Sequence, residues 1–210
     1  MADLSLITAA LISGDTEQVC TLVQKEIEKG TQASEILNIG LIAGMDIVGE
    51  KMQSGDMFIP EVLMSARSMN EAVAILKPLL TEDEMSTAGH IVIGTVKGDL
   101  HDIGKNLVSM MIESSGFEVT DLGVDVSPDA FVKAVQEKKA TIVALSALLT
   151  TTMPMMQQTI DALVESGLRD KVKIIVGGAP VNQDFADKIG ADGYAPDAGS
   201  ASKLAKQLWA

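Results

Sequence analysis

The chain has 210 residues and a formal net charge of −13, which argues against binding to nucleic acid or to an anionic membrane surface. Its 47% hydrophobic content allows one large or two small domains with a buried core, and no apolar run approaches the roughly 20 residues that span a bilayer. A single cysteine, Cys20, excludes an internal disulfide, and the N-terminus lacks a signal-peptide pattern, so we expect a cytoplasmic protein.

The first part of the chain, up to about residue 80, has apolar residues at helical spacing throughout. A short helix is predicted near residues 4–13, and Asp15 with Gln18 forms a capping-box pattern that begins a second helix. The apolar positions of two further helices are Leu37, Leu41, Met45, Val48 and Met52, then, after Pro60, Val62, Ala66, Met69, Val73 and Leu76. Four helices are enough for a small bundle, so we predict a four-helix domain over residues 1–86.

The second part of the chain begins after a polar segment, residues 81–89, that is typical of a linker. Short β-branched runs then alternate with helical stretches. The runs are 90–96, 118–124, 141–148, 173–178 and, more weakly, 193–196, and the helical stretches are 104–115, 128–138, 153–166, 183–189 and 200–208. This alternation predicts a flavodoxin-like (Rossmann-type), doubly wound parallel sheet of five strands in the order 2-1-3-4-5 over residues 87–210.

Ligands of such sheets bind outside the carboxyl ends of the strands, at the topological switch point. The first strand is followed by a polar, glycine-flanked loop that holds His101, one of only two histidines. The third strand ends near Ser146 and Leu148, and the fourth is followed by Gly177 and Gly178. The first and third strands are neighbours in the predicted order, so we expect His101 to face a crevice bordered by these four residues.

A lone histidine in a loop is more often structural than functional, and paired glycines more often make a tight turn. Against that reading, Asp99 lies two residues before His101, close enough to accept a hydrogen bond from its Nδ1, as the outer partners of metal-ligating histidines do. Gly104 opens the next helix without a side chain, which leaves room for a bulky group. Both interpretations are open at this point.

Several kinds of site are not supported by the residues. Zinc needs three or four protein ligands, whereas His90 lies at a strand start and Cys20 in the other predicted domain. Neither a Gly-x-Ser-x-Gly elbow for a serine hydrolase nor a phosphate-binding Gly-x-x-x-x-Gly-Lys-Ser/Thr loop is present. A single imidazole suggests instead a metal that arrives already held by a macrocycle.

The spacing of three motifs resembles the fingerprint of cobalamin-binding domains of the methionine-synthase type. They are Asp99-x-His101-x-x-Gly104, then after 41 residues Ser146-x-Leu148, then after 28 residues Gly177-Gly178. The segments GMDIVGE (44–50) and MFIPEV (57–62) resemble the four-helix cap domain attached to such modules. The two-domain chain is similar to the stand-alone corrinoid proteins of anaerobic methyltransferase systems, which serve methanol, methylamines, betaines or methoxylated aromatics.

The resemblance implies a cobalamin or related corrinoid bound base-off/His-on. His101 would then take the lower axial position of the cobalt in place of the cofactor's own base, and Asp99 would hydrogen-bond the ring. Thr152 matches a relay serine of methionine synthase, so it would extend this relay as a third catalytic residue; it is equally suited to be the N-cap of the next helix.

The resemblance also assigns residues that contact the rest of the cofactor. The positions that match its motifs in the second domain are Asp102, Gly104, Ser146, Leu148, Gly177 and Gly178. Met52 and Ile59 match side chains of the cap domain that contact the upper face of the corrin, although methionine synthase has an aromatic residue at the first of these positions.

The function implied by the resemblance is that of a methyl carrier cycling between cobalt(I) and methyl-cobalt(III). It would accept a methyl group from a substrate:corrinoid methyltransferase and hand it to a methylcorrinoid:acceptor methyltransferase that uses a folate or a thiol. A reductive activation protein is a further expected partner, and no turnover is expected without partners. The histidine would leave cobalt(I) and return to methyl-cobalt(III).

Three other functions compete with this interpretation. A cobalamin-sensing regulatory module normally carries a DNA-binding or signalling domain, for which we see no candidate segment. A phospho-acceptor receiver domain needs an aspartate at the end of the third strand, where this chain has Ser146. The cofactor subunit of a carbon-skeleton mutase carries the same histidine motif but lacks the helical cap.

Overall fold

The computed structural model describes residues 4–80 and 89–209. The chain divides into two compact units, one formed mainly by residues before 88 and the other mainly by residues from 88 onwards. The predicted linker, apart from Gly89, and the predicted domain boundary at residues 86/87 lie outside the described residues.

Four helices form the described part of the first unit, as predicted. They are α1 (Ser5–Ile12), α2 (Thr16–Glu28), α3, and α4 (Ile59–Leu76), which a 3-10 turn (Lys77–Leu79) follows. α3 consists of three consecutive segments, Ala33–Glu35, a π-helical Ile36–Ile42 and Ala43–Ser54. The predicted stripes are largely buried, although Met52 and Val73 are only partly so.

Glycines allow α1 and α3 to pack closely. A Cβ on Gly44 would lie 2.7 Å from Cδ2 of Leu11, and one on Gly40 would lie 3.3 Å from Cγ2 of Ile7. The Asp15 side chain caps α2 by accepting from the Gln18 amide at 3.0 Å. The capping box predicted there is only half formed, because the Asp15 amide donates to the Ala10 carbonyl instead.

The second unit is a five-stranded parallel sheet with the predicted order β2-β1-β3-β4-β5. Its strands are β1 (His90–Thr95), β2 (Glu118–Asp121), β3 (Ile142–Ser146), β4 (Lys173–Gly177) and β5 (Gly193–Ala195). Its α-helices are α5 (Ile103–Glu113), α6 (Pro128–Lys138), α7 (Pro154–Glu165), α8 (Gln183–Ile189) and α9 (Ala198–Trp209). The predicted flavodoxin-like fold is therefore confirmed.

Apolar layers cover both faces of the sheet, which is why the central strands are apolar at consecutive positions. On one face, residues of α6, α7 and α8 pack around Phe131 and alternate strand residues such as Val143. On the other face, residues of α5 and α9 pack against Ile93 and Ile175. The carboxyl edge is aligned by register, since Thr95 pairs with Ser146 and Ser146 with Gly177.

None of the helices within residues 4–80 and 89–209 combines the length and apolarity needed to cross a membrane.

Candidate functional site

The loop between β1 and α5 lies at the carboxyl edge of the sheet and carries the predicted histidine. It begins where the buried apolar run of β1 gives way to a polar, glycine-containing sequence. The buried Thr95 hydroxyl donates to the His101 carbonyl at 2.8 Å, and the Asp99 amide donates to the Val96 carbonyl at 3.1 Å. These bonds fold the loop back on the end of its own strand.

The Asp99 side chain, which is completely buried, is the centre of the site. Its Oδ1 accepts from the His101 Nδ1 at 2.6 Å and from the His101 amide at 3.2 Å. Its Oδ2 accepts from the Thr152 hydroxyl at 2.7 Å and from the amides of Leu148 and Leu149 at 2.8 and 3.2 Å. One carboxylate thus joins the loop after β1 to the loop after β3.

These contacts keep the Asp99 carboxyl ionised. Burial raises the pKa of its carboxyl, but the hydrogen bonds from Thr152, His101 and the Leu148 amide outweigh burial and hold the pKa well below its usual range. Because an ionised carboxylate only accepts, the His101 Nδ1 carries the proton in this bond. In the neutral ring the other nitrogen, Nε2, therefore has a free lone pair.

The Nε2 of His101 takes no part in the hydrogen bonds around Asp99. The His101 side chain is 50% exposed, and no hydrogen bond to its Nε2 is found within residues 4–80 and 89–209. The two loops and the start of α5 expose large apolar side chains: Leu100 and Ile103 are 71% and 84% exposed, and Leu148 and Leu149 are each 42% exposed. A nitrogen ligand bordered by exposed apolar side chains suits a large apolar molecule that contains a metal.

Thr152 contacts the Asp99 carboxylate and is not the N-cap of α7. α7 begins at Pro154 after an N-cap at Met153, and no side chain caps that helix end. The Thr152 hydroxyl is 2.7 Å from Asp99 Oδ2 and 2.9 Å from the Leu149 carbonyl oxygen. Its single proton can serve only one of these acceptors, and the charged carboxylate is the stronger one.

The other predicted residues are divided between the two units. Gly104, at the start of α5, faces open space, since a Cβ there would meet nothing within 4 Å. Asp102, just before α5, is exposed and accepts from the Asn106 side chain at 3.3 Å. Met52 and Ile59, at the end of α3 and the start of α4, belong to the first unit.

Sequence patterns did not point to every residue of the site. The Leu149 amide joins the carboxylate cluster, and Lys105, only 3% exposed, forms an ion pair with Asp121 at the end of β2. The position of Lys105 directly after the motif residue Gly104 could have drawn attention to it. Backbone donors such as the Leu149 amide leave no trace in the sequence.

A metal site built from protein ligands alone is not found. In the part of the chain that the structure describes, no group of three or more His, Cys, Asp or Glu side chains is arranged to hold an ion.

Comparisons with known proteins decide the family. Family models described as B12 binding domains match residues 89–202 and residues 5–77. The chain is 48% identical to the dimethylamine corrinoid protein of Methanosarcina barkeri (96% of this chain, 94% of the relative) and 42% identical to a corrinoid protein of Desulfitobacterium hafniense (99% and 98%). The chain belongs to the B12-binding corrinoid protein family.

Solved structures of corrinoid proteins have the same architecture. A cobalamin-binding protein from Desulfitobacterium hafniense DCB-2 matches with a TM-score of 0.87 and 37% identity over 100% of both chains. The methanol:cobalamin methyltransferase complex MtaBC of Methanosarcina barkeri matches with a TM-score of 0.84 and 33% identity, over 98% of this chain and 78% of the other. The predicted membership of the corrinoid family is confirmed, and a corrinoid is the cofactor class of the family.

The residues of the second unit fit a corrinoid. His101 could supply one nitrogen to the cobalt ion of a corrinoid, and the exposed side chains of Leu100, Ile103 and Leu148 could supply apolar surface to its ring. The row formed by Thr95, Ser146 and Gly177 provides an edge without bulky side chains.

Gly178 follows β4 at the carboxyl edge of the sheet and is closely surrounded by the main chain. Its φ is +129°, and a Cβ would lie 1.9 Å from the Ala147 carbonyl oxygen. We expect Gly178→Ala to lower the free energy of unfolding by about 3 kcal/mol or more, because both the backbone angle and the contact with a main-chain atom must be relieved. Urea unfolding measures this; a loss below about 1 kcal/mol would show that this backbone adapts freely.

Gly104 provides the opposite case. Its φ lies outside the positive range and its surroundings are open, so Gly104→Ala should leave the free energy of unfolding unchanged or raise it by up to about 1 kcal/mol. If the corrin ring approaches there, the added methyl should lower the affinity for hydroxocobalamin, measured by titration of the absorbance spectrum. Unchanged affinity would remove Gly104 from the binding surface.

Proposed function

We propose that this chain is the methyl carrier of a methyltransferase system for methylamines, methanol, betaines or methoxylated aromatics, with the corrinoid bound base-off and His101 as its lower ligand. The observation that carries the proposal is the arrangement around Asp99, which engages the His101 Nδ1 in a half-exposed ring and leaves Nε2 without a hydrogen-bond partner among the described residues, in a loop region with exposed apolar side chains. The dimethylamine corrinoid protein and the methanol:cobalamin methyltransferase complex among its relatives support the methyltransferase setting.

The bound corrinoid would supply the cobalt centre that takes up and gives away the methyl group. His101 would contribute its Nε2 as a ligand, and Asp99 would keep the Nδ1 proton in place and make the ring a stronger electron-pair donor. The Thr152 hydroxyl would hold the second carboxylate oxygen, so the carboxylate cannot turn away from the ring. The ring could act as a ligand only while Nε2 carries no proton.

The remaining roles follow from the same proposal. Ser146, Leu148, Gly177 and Gly178 would line the path of the cofactor's nucleotide tail at the carboxyl edge. Met52 and Ile59 are proposed contacts of the corrin on the strength of the resemblance. The partners would be a substrate:corrinoid methyltransferase, a folate- or thiol-dependent acceptor methyltransferase and a reductive activation protein, and the first of these would choose the methyl donor.

The ligand assignment is tested by electron paramagnetic resonance of the cobalt(II) form. Protein reconstituted with hydroxocobalamin and reduced should show splitting from one axial nitrogen. Growth on ¹⁵N-labelled histidine should change that splitting from a triplet to a doublet. A splitting that ignores the label would show that the cofactor's own base stays bound, and the base-off/His-on proposal would be wrong.

The carrier role needs a separate assay. Reconstituted, reduced protein is mixed with a purified dimethylamine, methanol, betaine or methoxyaromatic methyltransferase and its substrate. One of these enzymes should consume its substrate in proportion to the amount of corrinoid protein added. Consumption by none of them, with a related corrinoid protein active as a control, would contradict the methyl-carrier proposal.

A further inference from the structure

Asp125 has a backbone conformation that side-chain-bearing residues rarely adopt. Its φ is +54°, and within residues 4–80 and 89–209 the only other non-glycine residue with positive φ is Lys139. Lys139 is the C-cap of α6, where a left-handed residue is the usual helix end. Asp125 lies in the loop between β2 and α6, away from any helix end of that type, and such a residue persists only where its surroundings hold it.

The contacts of Asp125 lead to the histidine loop. Its Oδ1 accepts from the Gly98 amide at 2.7 Å, and its own amide donates to the Asp99 carbonyl at 2.9 Å. On either side, the Thr95 amide donates to Gly123 and the Val126 amide donates to Thr95, each at 3.0 Å. Of these four bonds, three join main-chain atoms and form with almost any residue, so the Asp125 carboxylate is the contact that depends on side-chain identity.

Asp125 binds the main chain at Asp99, whereas other residues bind the Asp99 carboxylate. The carboxylate is fixed by Leu148, Leu149 and Thr152 from the loop after β3. Asp125 instead binds the Gly98 amide through its side chain and the Asp99 carbonyl through its own amide. Aspartate is one of the few side chains that tolerate the left-handed region and can also accept from a neighbouring amide.

We propose that Asp125 is a positioning residue that fixes the Gly98–Asp99 backbone, so that the Asp99 carboxylate meets the His101 ring. Without its carboxylate, the Gly98 amide loses its acceptor and the loop can rotate, which loosens every bond that Asp99 accepts. The consequence for cobalt ligation rests on the proposed function; the consequence for the carboxylate cluster does not.

Three variants separate the side chain from the backbone. Asp125→Gly removes the acceptor while glycine adopts a positive φ without strain. Asp125→Asn keeps an oxygen acceptor and tolerates the same φ. Asp129→Asn, at an exposed position in the first turn of α6, makes the same change of net charge away from the loop and is the matched control.

The first measurement is amide hydrogen exchange in protein without added corrinoid. The Leu148 amide, which donates to Asp99, should exchange about fivefold faster in Asp125→Gly, as expected for the loss of one hydrogen bond. It should be unchanged in Asp125→Asn and Asp129→Asn, and protection of Val143 in the middle of β3 should be unchanged in all three. Unchanged exchange at Leu148 in Asp125→Gly, or equally fast exchange in Asp125→Asn, would overturn the proposal.

The second measurement uses ¹⁵N-histidine in the cobalt(II) form. Asp125→Gly should show the labelled splitting in a smaller fraction of molecules than the wild type, and Asp125→Asn should restore it. A labelled splitting equal to that of the wild type in Asp125→Gly would refute the effect on ligation. If the wild type itself shows no labelled splitting, the proposed function fails, and the exchange measurement still decides the role of Asp125.

Discussion

Replacing His101 with alanine is expected to abolish the histidine-derived nitrogen splitting of the cobalt(II) form. Methyl transfer with the competent partner should fall by more than about 100-fold, since even the outer partners of metal ligands typically contribute 10- to 100-fold. The free energy of unfolding should fall by no more than about 1 kcal/mol, because the ring is half exposed and Asp99 keeps its other donors. Paramagnetic resonance, substrate consumption and urea unfolding provide the three readouts.

The other histidine supplies the control for this experiment. His90 starts β1, so it lies at the opposite edge of the sheet from the loop that carries His101. Its ring lies 2.7 Å from the Thr120 hydroxyl and 3.3 Å from the Glu118 carboxylate. His90→Gln should keep the labelled splitting; loss of the splitting in this variant, with retention in His101→Ala, would contradict the assignment.

Replacing Asp99 with alanine should strongly destabilise the second unit. It leaves the amides of Leu148 and Leu149 without their acceptor in a partly buried environment, whereas the Thr152 hydroxyl can still donate to the Leu149 carbonyl. Each orphaned donor costs about 1–3 kcal/mol before relaxation, so we expect a total of about 3–5 kcal/mol. Thr152→Val keeps a side chain of similar shape but removes one hydrogen-bond donor, so it should lower the free energy of unfolding by about 1 kcal/mol. Equal losses in the two variants would show that Asp99 is not the centre of the cluster.

Asp99→Ala should also change how the free energy of unfolding depends on pH. The pKa of Asp99 is lower in the folded chain than in the unfolded chain, so the unfolded state binds more protons in acid. The contribution of Asp99 is therefore complete above about pH 4, the ordinary pKa of aspartate, and is lost as the pH falls towards the folded value. Urea unfolding between about pH 3 and pH 7 should show a shallower acid decline in Asp99→Ala than in the wild type; parallel profiles would contradict this.

The fold was predictable because apolar residues recur at helical spacing in the first unit and strand-like runs alternate with helical stretches in the second. The β-branched runs separated by helical stretches gave the strand order, and the predicted start of α6 after Ser127 is confirmed by its bond from the Ala130 amide. Strand ends were less predictable. β2 stops at Asp121 and not at residue 124, because the Asp121 carboxylate accepts from the Gly123 amide and turns the chain. The π-helical segment Ile36–Ile42 was not predicted, since its apolar spacing also fits an α-helix.

The pair of Asp99 and His101 could be selected from spacing because side chains two residues apart in a loop can meet. The place of Thr152 could not be decided in that way, since threonine is also a favoured N-cap residue; the N-cap at Met153 and the hydrogen bond to Asp99 became visible only in the structure. Asp125 gave no signal, because its role depends on a backbone angle and on Gly98, which is 27 residues away in the chain.

The five donors around Asp99 have a kinetic consequence. Both carboxylate oxygens are engaged by the fold itself, so the imidazole has its tautomer and direction as soon as the chain is folded. The ring nitrogen is therefore already oriented when a metal complex arrives. If the corrinoid binds base-off, as proposed, the rate of loading should depend on how fast the corrinoid releases its own base, and a folded preparation should load without a lag.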